Sequence, residues 1–186
     1  GSIIQMINHG ISTGALFLLI GMIYERRHTR QLDDFGGIAA NMPFYSTLFA
    51  ITSFSSIGLP GLNGFIGEFM ILAGVFSRSW TLGALTASGV IIGAVYMLSA
   101  YEKIFLGSVT KKENATLHDL SNTEKLCMAP LVALMFAIGI YPGFISCKIE
   151  NAVKKITAPY TYVRPAGSAD LNFNEYSVNA ICQKKK

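Results

Sequence analysis

The residue best suited to chemistry is Glu68, which stands in Gly67-Glu68-Phe69 between a glycine- and proline-rich break and an apolar run. An ionised carboxylate is expensive in apolar surroundings, so a glutamate there is a candidate for taking up and releasing protons. That chemistry is a proton relay. The structural alternative is a carboxylate at the aqueous end of a helix, where it caps the helix or pairs with Arg78.

His9 is the second candidate, because it belongs to a polar stripe on an otherwise apolar segment. Gln5, His9 and Thr13 recur every four residues, which places them on one face of a helix, and Asn8 and Ser12 widen that face. Such a stripe should face the interior of a bundle. Histidine titrates near neutral pH and offers a donor and an acceptor, so His9 suits proton transfer through water chains. A structural histidine is the open alternative.

Other polar side chains are candidates for binding water beside these two residues, although hydroxyls are equally ordinary in helix packing. His28 and His118 lack the neighbours that a metal site or a nucleophile requires. The three cysteines show no Cys-x-x-Cys spacing. The chain is therefore predicted to hold no cofactor and no metal. The supporting polar residues are predicted to be Gln5, Asn8, Thr13, Ser88 and Tyr96.

Composition indicates that these residues work inside a membrane. Hydrophobic residues make up 51% of the chain and charged residues 14%, against about 25% charged in soluble proteins. The charges fall in blocks between long apolar runs, which is typical of a membrane protein. The net charge of +4 forms no continuous basic stripe, so a nucleic-acid partner is not expected.

Residues 1–146 are predicted to form a transmembrane bundle with about five membrane segments. Crossing the hydrocarbon core takes about 20 residues, so the first and fourth segments span it, the fifth nearly does, and the second and third are too short alone. In order, the segments are 3–24, 43–57, 65–76, 82–106 and 127–145.

The two short segments flank the run from Gly58 to Gly64, where proline and several glycines oppose a helix. A broken helix is therefore predicted near residues 58–80. Interrupted apolar segments are typical of ion sites in transporters. A tight turn between two spans at the membrane surface is the open alternative.

The end of the chain differs in composition from the bundle. Apolar residues recur at helical spacing over 147–157, with charged residues on the other faces, which predicts an amphipathic helix on the membrane surface or on a neighbouring subunit. Residues 158–186 are rich in Pro, Asn, Ser, Gly and Lys and are predicted to form a disordered polar tail. The apolar start without a charged leader indicates that the chain begins inside a longer protein.

Three sequence runs carry a resemblance to a known family. They are Met6–Phe17 (MINHGISTGALF), Tyr24–Arg30 (YERRHTR) and Leu59–Phe69 (LPGLNGFIGEF). With these runs the chain strongly resembles the antiporter-like membrane subunits of proton-translocating NADH:quinone oxidoreductase, respiratory complex I. The resemblance extends from the start of the chain to about Pro142.

The resemblance implies an all-α, polytopic transmembrane bundle of fourteen helices built from two inverted repeats, of which this chain would be helix ten onward. It implies that Glu68 is the glutamate of the broken twelfth helix, at the exit end of the proton path, and that His9 is a relay on the tenth helix. The charged residues of the other half-channel would lie upstream, so this part alone should not pump protons.

The resemblance also implies a place in a larger enzyme, which couples NADH oxidation and quinone reduction to proton transport. This chain would carry no redox chemistry, since FMN and iron–sulfur clusters are expected in other subunits. Its partners would be neighbouring membrane-arm subunits, antiporter-like ones among them, together with the lipid bilayer, protons and water. The Arg-rich loop after the first span and the amphipathic helix would contact adjacent subunits. A bacterial cytoplasmic membrane is preferred over an organelle inner membrane.

Two alternatives remain open. The first is a subunit of a multisubunit Na⁺/H⁺ antiporter or of a membrane-bound hydrogenase, which are built from the same helices. The second is a non-conducting scaffold that only holds neighbouring subunits together. The context Gly67-Glu68-Phe69 and the loop Tyr24-Glu25-Arg26 favour the NADH enzyme.

Overall fold

A computed structural model describes residues 1–109 and 111–157, and the described residues are helical and contain no strand. The chain divides into two compact units, Gly1–Ile140 and a second that begins at Tyr141. The all-α prediction is confirmed. The helices are α1 Ser2–Arg27, α2 Pro43–Ser56, α3 Asn63–Phe76, α4 Trp80–Phe105, α5 Lys112–Ala115, α6 Asn122–Ile140 and α7 Gly143–Thr157, with 3-10 turns at Leu32–Asp34 and Ile38–Ala40.

Among the described residues, three helices are long and apolar enough to cross a membrane: α1, α4 and α6. The helices α2 and α3 have 14 residues each, which is too short for a span. Each of the five predicted apolar segments overlaps one of these five helices. The predicted division into three long and two short segments is confirmed. The chain is an integral membrane protein.

The helix α6 begins five residues before the apolar segment predicted there, at 122 and not 127. The reason is a capping box: Ser121 Oγ accepts from the Glu124 amide at 3.3 Å, and Glu124 Oε2 accepts from the Ser121 amide at 2.7 Å. The helix ends at Ile140, earlier than predicted. Pro142 follows, and proline disfavours helix in the residue before it.

The predicted break is present between α2 and α3. Gly58 and Gly61 have φ of 76° and 95°, a left-handed conformation that glycine adopts without a steric penalty. A second interruption separates α3 from α4, where Ser79 caps α4 by accepting from the Leu82 amide at 3.4 Å. The region 58–80 therefore holds two interruptions, and α3 is the short helix between them.

The helix α1 packs against α2, α3 and α6, and α4 packs against α3 and α2. Aromatic rings pack between α2 and α4: the ring centroid of Phe105 on α4 lies 4.9 Å from that of Phe49 and 5.7 Å from that of Tyr45, both on α2. The helix α6 closes over the break, since a Cβ on Gly139 would lie 2.6 Å from the Gly61 carbonyl carbon. The break is thus enclosed by helices on several sides.

Polar residues tie the loops together at one end of the bundle. Arg26 forms two hydrogen bonds of 2.7 Å with the Glu124 carboxylate. Asp119 accepts from the amides of Phe44 at 2.8 Å and Tyr45 at 3.0 Å, which satisfies donors at the start of α2. These hydrogen bonds fix the positions of the end of α1 and of the starts of α2 and α6.

The second unit contains α7, which spans Gly143–Thr157 and begins four residues before the predicted amphipathic helix 147–157. The predicted tail, 158–186, lies outside the described residues. Its disorder and the surface position of α7 stay predictions.

Candidate functional site in the membrane bundle

Glu68 lies on α3, one and a half turns after the break, and is half-buried. Its carboxylate lies against Gly58, where a Cβ would collide with Glu68 Oε2. Because Gly58 has no side chain, the backbone of the break can approach the carboxylate directly. The break and the glutamate therefore form one site.

Gln5 on α1 orients this carboxylate. Its amide Nε2 donates to Glu68 Oε1 at 3.4 Å, a long hydrogen bond. The two helices come this close because of Gly67, where a Cβ would lie 2.8 Å from Gln5 Cβ and 2.9 Å from Gln5 Cα. The neutral amide holds the carboxylate in place without supplying a counter-charge.

The carboxylate lines a cavity of about 300 Å³ between the break and α4. That volume accommodates several water molecules. Tyr96 lines the cavity, whereas Ser88 is exposed and donates to the Leu85 carbonyl at 2.7 Å. That either side chain binds water stays a prediction. The lining residues are Ser56, Ile57, Glu68, Thr86, Gly89, Val90, Gly93, Tyr96 and Met97.

The polar stripe of α1 divides into two parts. Asn8 and Ser12 are buried, whereas His9 is exposed and Gln5 and Thr13 are partly exposed within this chain. His9 is within hydrogen-bond distance of Thr13, with 3.2 Å between Nδ1 and Oγ1. The described helices therefore cover one side of the stripe, and His9 stands on the other.

The buried part of the stripe forms a polar cluster with the break, named here the Asn8–Asn63 cluster, whose members are Asn8, Ser12, Ser55 and Asn63. Asn8 Nδ2 donates to the Asn63 carbonyl at 2.6 Å, and Asn63 Nδ2 donates to the Asn8 carbonyl at 3.3 Å. Asn63 Oδ1 accepts from Ser55 and, at 3.5 Å, from Ser12. The cluster joins α1, α2 and α3 at the interruption.

Sequence reasoning missed the roles of Asn63 and Ser55. The available signal was a polar residue at the start of an apolar helix, in Gly61-Leu62-Asn63-Gly64. Its partner Asn8 is 55 positions away in the sequence, so spacing alone could not identify the pair.

Within residues 1–109 and 111–157, no group of three or more His, Cys, Asp or Glu side chains is placed to hold a metal ion. The prediction that the chain holds no cofactor stays a prediction.

Comparison with known proteins identifies the family. A family model described as NADH:quinone oxidoreductase/Mrp antiporter, transmembrane, matches residues 1–94, which include Glu68 and His9. NADH-quinone oxidoreductase subunit M of Rhodobacter capsulatus is 38% identical over 160 residues, covering 86% of this chain and 31% of that protein. Subunit M of Rickettsia typhi is 43% identical over 159 residues, covering 83% and 32%. The chain thus spans about a third of the length of these curated relatives.

Solved structures show the same fold. Respiratory complex I from Thermus thermophilus with bound NADH contains a chain that superposes with a TM-score of 0.69 at 34% identity, covering 76% of this chain and 30% of that chain. An archaeal membrane-bound sulfane sulfur reductase gives a TM-score of 0.70 at 22% identity, covering 89% and 32%, which shows the fold alone.

The resemblance predicts subunit 4, also called M, within this family, and the similarity to curated subunits M confirms that prediction. The match over half of the sequence, with the same helical architecture in complex I, establishes that the chain belongs to the NADH:quinone oxidoreductase/Mrp antiporter transmembrane family.

Proposed function

We propose that this chain forms part of a proton-translocating membrane subunit of an NADH:quinone oxidoreductase, with Glu68 and His9 on the proton path. The observation that carries the proposal is the position of Glu68, at a helix break inside a membrane bundle and on the wall of a cavity of about 300 Å³. A carboxylate with access to water at membrane depth is suited to loading and releasing protons.

The remainder of the proposal concerns the whole enzyme. NADH oxidation and quinone reduction, with FMN and iron–sulfur clusters, would take place in other subunits, and this chain would contact neighbouring antiporter-like and other membrane-arm subunits. The names of the relatives, which are subunits of NADH-quinone oxidoreductase, support this assignment. These relatives come from bacteria, which favours a bacterial cytoplasmic membrane.

Energetics set a requirement on the site. Moving one charge against 100 mV costs about 2.3 kcal/mol, so a pump must alternate the access of its proton carrier between the two sides. The break provides a place for such a change, because α3 is joined to α2 by a short glycine-containing segment. Glu68 would load from one side and release to the other.

The proposal is tested in the full-length parent protein, tagged and purified from native membranes. We expect NADH oxidation to co-purify, and Glu68→Gln to suppress proton pumping in a fully assembled complex. Glu102→Gln is the matched control, because Glu102 is exposed near the end of α4 and does not line the cavity. Unchanged pumping in Glu68→Gln would refute the assignment of this site.

A second candidate function, a subunit of a Na⁺/H⁺ antiporter, is favoured by the description of the matching family, which includes Mrp antiporters. Such a protein would also use Glu68. Absence of NADH oxidation from the purified complex, together with sodium-dependent proton flux, would select this function over the first.

A further inference from the structure

Two different elements hold the Glu68 carboxylate. Its Oε1 accepts a hydrogen bond from Gln5 Nε2 on α1 at 3.4 Å, and its Oε2 lies against Gly58 of the break. In the part of the chain that the structure describes, Gln5 is the only hydrogen-bond donor to this carboxylate, and no Lys, Arg or His side chain forms an ion pair with it. The carboxylate therefore has a single hydrogen-bonding partner, and that partner is neutral.

The amide group of Gln5 contains a second atom, Oε1, that lacks a partner. This oxygen has less than 1 Å² of exposed surface and accepts no hydrogen bond from the described residues. It is bonded to the same carbon as Nε2, the atom that contacts Glu68. Because an unsatisfied buried acceptor is unfavourable, a donor is expected beside it in at least one state of the site.

Glu68 gains such a donor when it binds a proton. An ionised carboxylate only accepts hydrogen bonds, whereas a protonated carboxyl group also has an O–H that donates. An amide has a donor and an acceptor side by side. A carboxylic acid and an amide that face each other can therefore form two hydrogen bonds at once, one in each direction.

We propose that Gln5 binds both protonation states of Glu68. In the ionised state, Gln5 Nε2 donates to Glu68 Oε1, as observed. In the protonated state, the carboxyl group turns so that its Oε2–H leaves Gly58 and donates to Gln5 Oε1, while the first hydrogen bond remains. The inference rests on the proposed function, since it assigns a positioning residue to the proton carrier.

The proton step is balanced. A hydronium ion in the cavity of about 300 Å³ gives one proton to Glu68 Oε2, so an O–H bond breaks in the hydronium ion and another forms on the carboxylate. The products are a water molecule and the neutral acid. Release reverses this step toward another water molecule. Gln5 gives up no proton, so it is a positioning residue and not a proton carrier.

The neutral charge of Gln5 matters because a proton carrier must gain and lose its proton in every cycle. A fixed cation within about 4–6 Å would favour the ionised carboxylate about 10- to 1,000-fold. Among the described residues that line the cavity, Tyr96 is the only other one with a titratable side chain, and it is not a cation. Gln5 can thus satisfy both states of Glu68 without holding the site in either.

The test compares three variants of Gln5 in the assembled parent complex. Gln5→Met keeps nearly the same length without the amide, and Gln5→Asn keeps the amide but shortens the side chain by one methylene. We expect each to lower the pumping rate about tenfold, which is the effect of losing one hydrogen bond. Gln5→Lys keeps a donor but adds a cation, so it should pump more slowly than Gln5→Met.

Thr52→Val is the matched control. Thr52 is buried on α2, donates to the Leu48 carbonyl of its own helix at 2.7 Å, and does not line the cavity. The substitution removes one buried hydrogen bond of the bundle away from Glu68. This variant should pump normally.

Infrared difference spectroscopy separates the proposed role from a general packing role. The carbonyl band of protonated Glu68, identified by its loss in Glu68→Gln, should move to higher frequency in Gln5→Met and Gln5→Asn, because the carboxyl group loses its hydrogen bonds to the amide. The band should not move in Thr52→Val. An unshifted band in both Gln5 variants would overturn the inference, and so would pumping by Gln5→Lys at the rate of the unsubstituted complex.

Glu68→Gln in the same preparation distinguishes the two proposals. If Glu68→Gln abolishes pumping while Gln5→Met and Gln5→Asn pump normally with an unshifted band, this inference is wrong and the proposed function stands. If Glu68→Gln itself pumps normally, the proposed function fails and the inference fails with it.

Discussion

Asn8 and Asn63 bind each other's backbone across the interface of α1 and α3. The side chain of Asn8 donates to the Asn63 carbonyl at 2.6 Å, and the side chain of Asn63 donates to the Asn8 carbonyl at 3.3 Å. Both residues are buried. Because Asn63 is the first residue of α3, this pair fixes the start of the helix that carries Glu68.

The pair predicts a non-additive loss of stability. Asn8→Ala or Asn63→Ala alone should destabilise the detergent-solubilised parent protein by about 1–3 kcal/mol, because each leaves buried partners unsatisfied. The double variant should cost less than the sum, with a coupling of about 0.5–3 kcal/mol. Thermal unfolding of the four proteins measures the cycle. Strictly additive losses would show that the pair does not act as a unit.

Close packing of α1 on α3 predicts opposite outcomes for two glycines of α3. Gly67→Ala places a Cβ 2.8 Å from Gln5 Cβ and should destabilise the protein by about 1–3 kcal/mol. Gly74→Ala meets nothing within 4 Å and should be neutral or stabilise by about 0.5–1 kcal/mol. Thermal unfolding of both variants checks this. Equal effects would contradict the observed approach of the two helices.

The ion pair between Arg26 and Glu124 should contribute more to the stability of the protein than the more exposed ion pair between Lys103 and Asp33. The Arg26 and Glu124 side chains are 19% and 20% exposed, so Glu124→Gln should cost about 1–3 kcal/mol. Lys103 and Asp33 are 52% and 84% exposed, so Asp33→Asn should cost about 0–1 kcal/mol. Denaturation of the two variants ranks the pairs, and a larger loss for Asp33→Asn would contradict the ranking.

Acidification should destabilise the loop that contains Asp34. A hydrogen bond from Lys111, and a second from Thr29, hold the pKa of the half-buried Asp34 carboxyl below its ordinary value of 3.8. A depressed pKa in the folded state adds stability above pH 3.8, and this stability is lost as the pH falls through the folded-state pKa. The protection of the loop amides from hydrogen exchange, measured relative to the intrinsic exchange rate at each pH, should therefore fall on acidification below pH 3.8. Asp34→Asn should exchange faster at neutral pH and lose this pH dependence; an unchanged pH dependence in that variant would assign it to another group.

Local sequence signals predicted the backbone of the site well. Gly58, Pro60 and Gly61 oppose a helix through their own backbone preferences, and the break is found there. The early start of α6 was missed because its capping box, Ser121 and Glu124, lies in polar sequence outside the apolar segment.

The contacts of the site were harder to predict. Helical periodicity identified the polar stripe of α1, yet adjacent positions on a helix differ by about 100°. That difference leaves Asn8 buried and His9 exposed in this chain. The contacts of Asn63 with Asn8, Ser12 and Ser55 depend on how three helices meet, which no local pattern encodes.

The most direct test of the central claim is to observe the proton on Glu68 during turnover, by infrared difference spectroscopy of the reconstituted parent complex with and without NADH. We predict a change in the band of a protonated carboxyl group that disappears in Glu68→Gln and persists in Glu102→Gln. A spectrum in which Glu68→Gln retains the full carboxyl change would contradict the claim that Glu68 carries the proton.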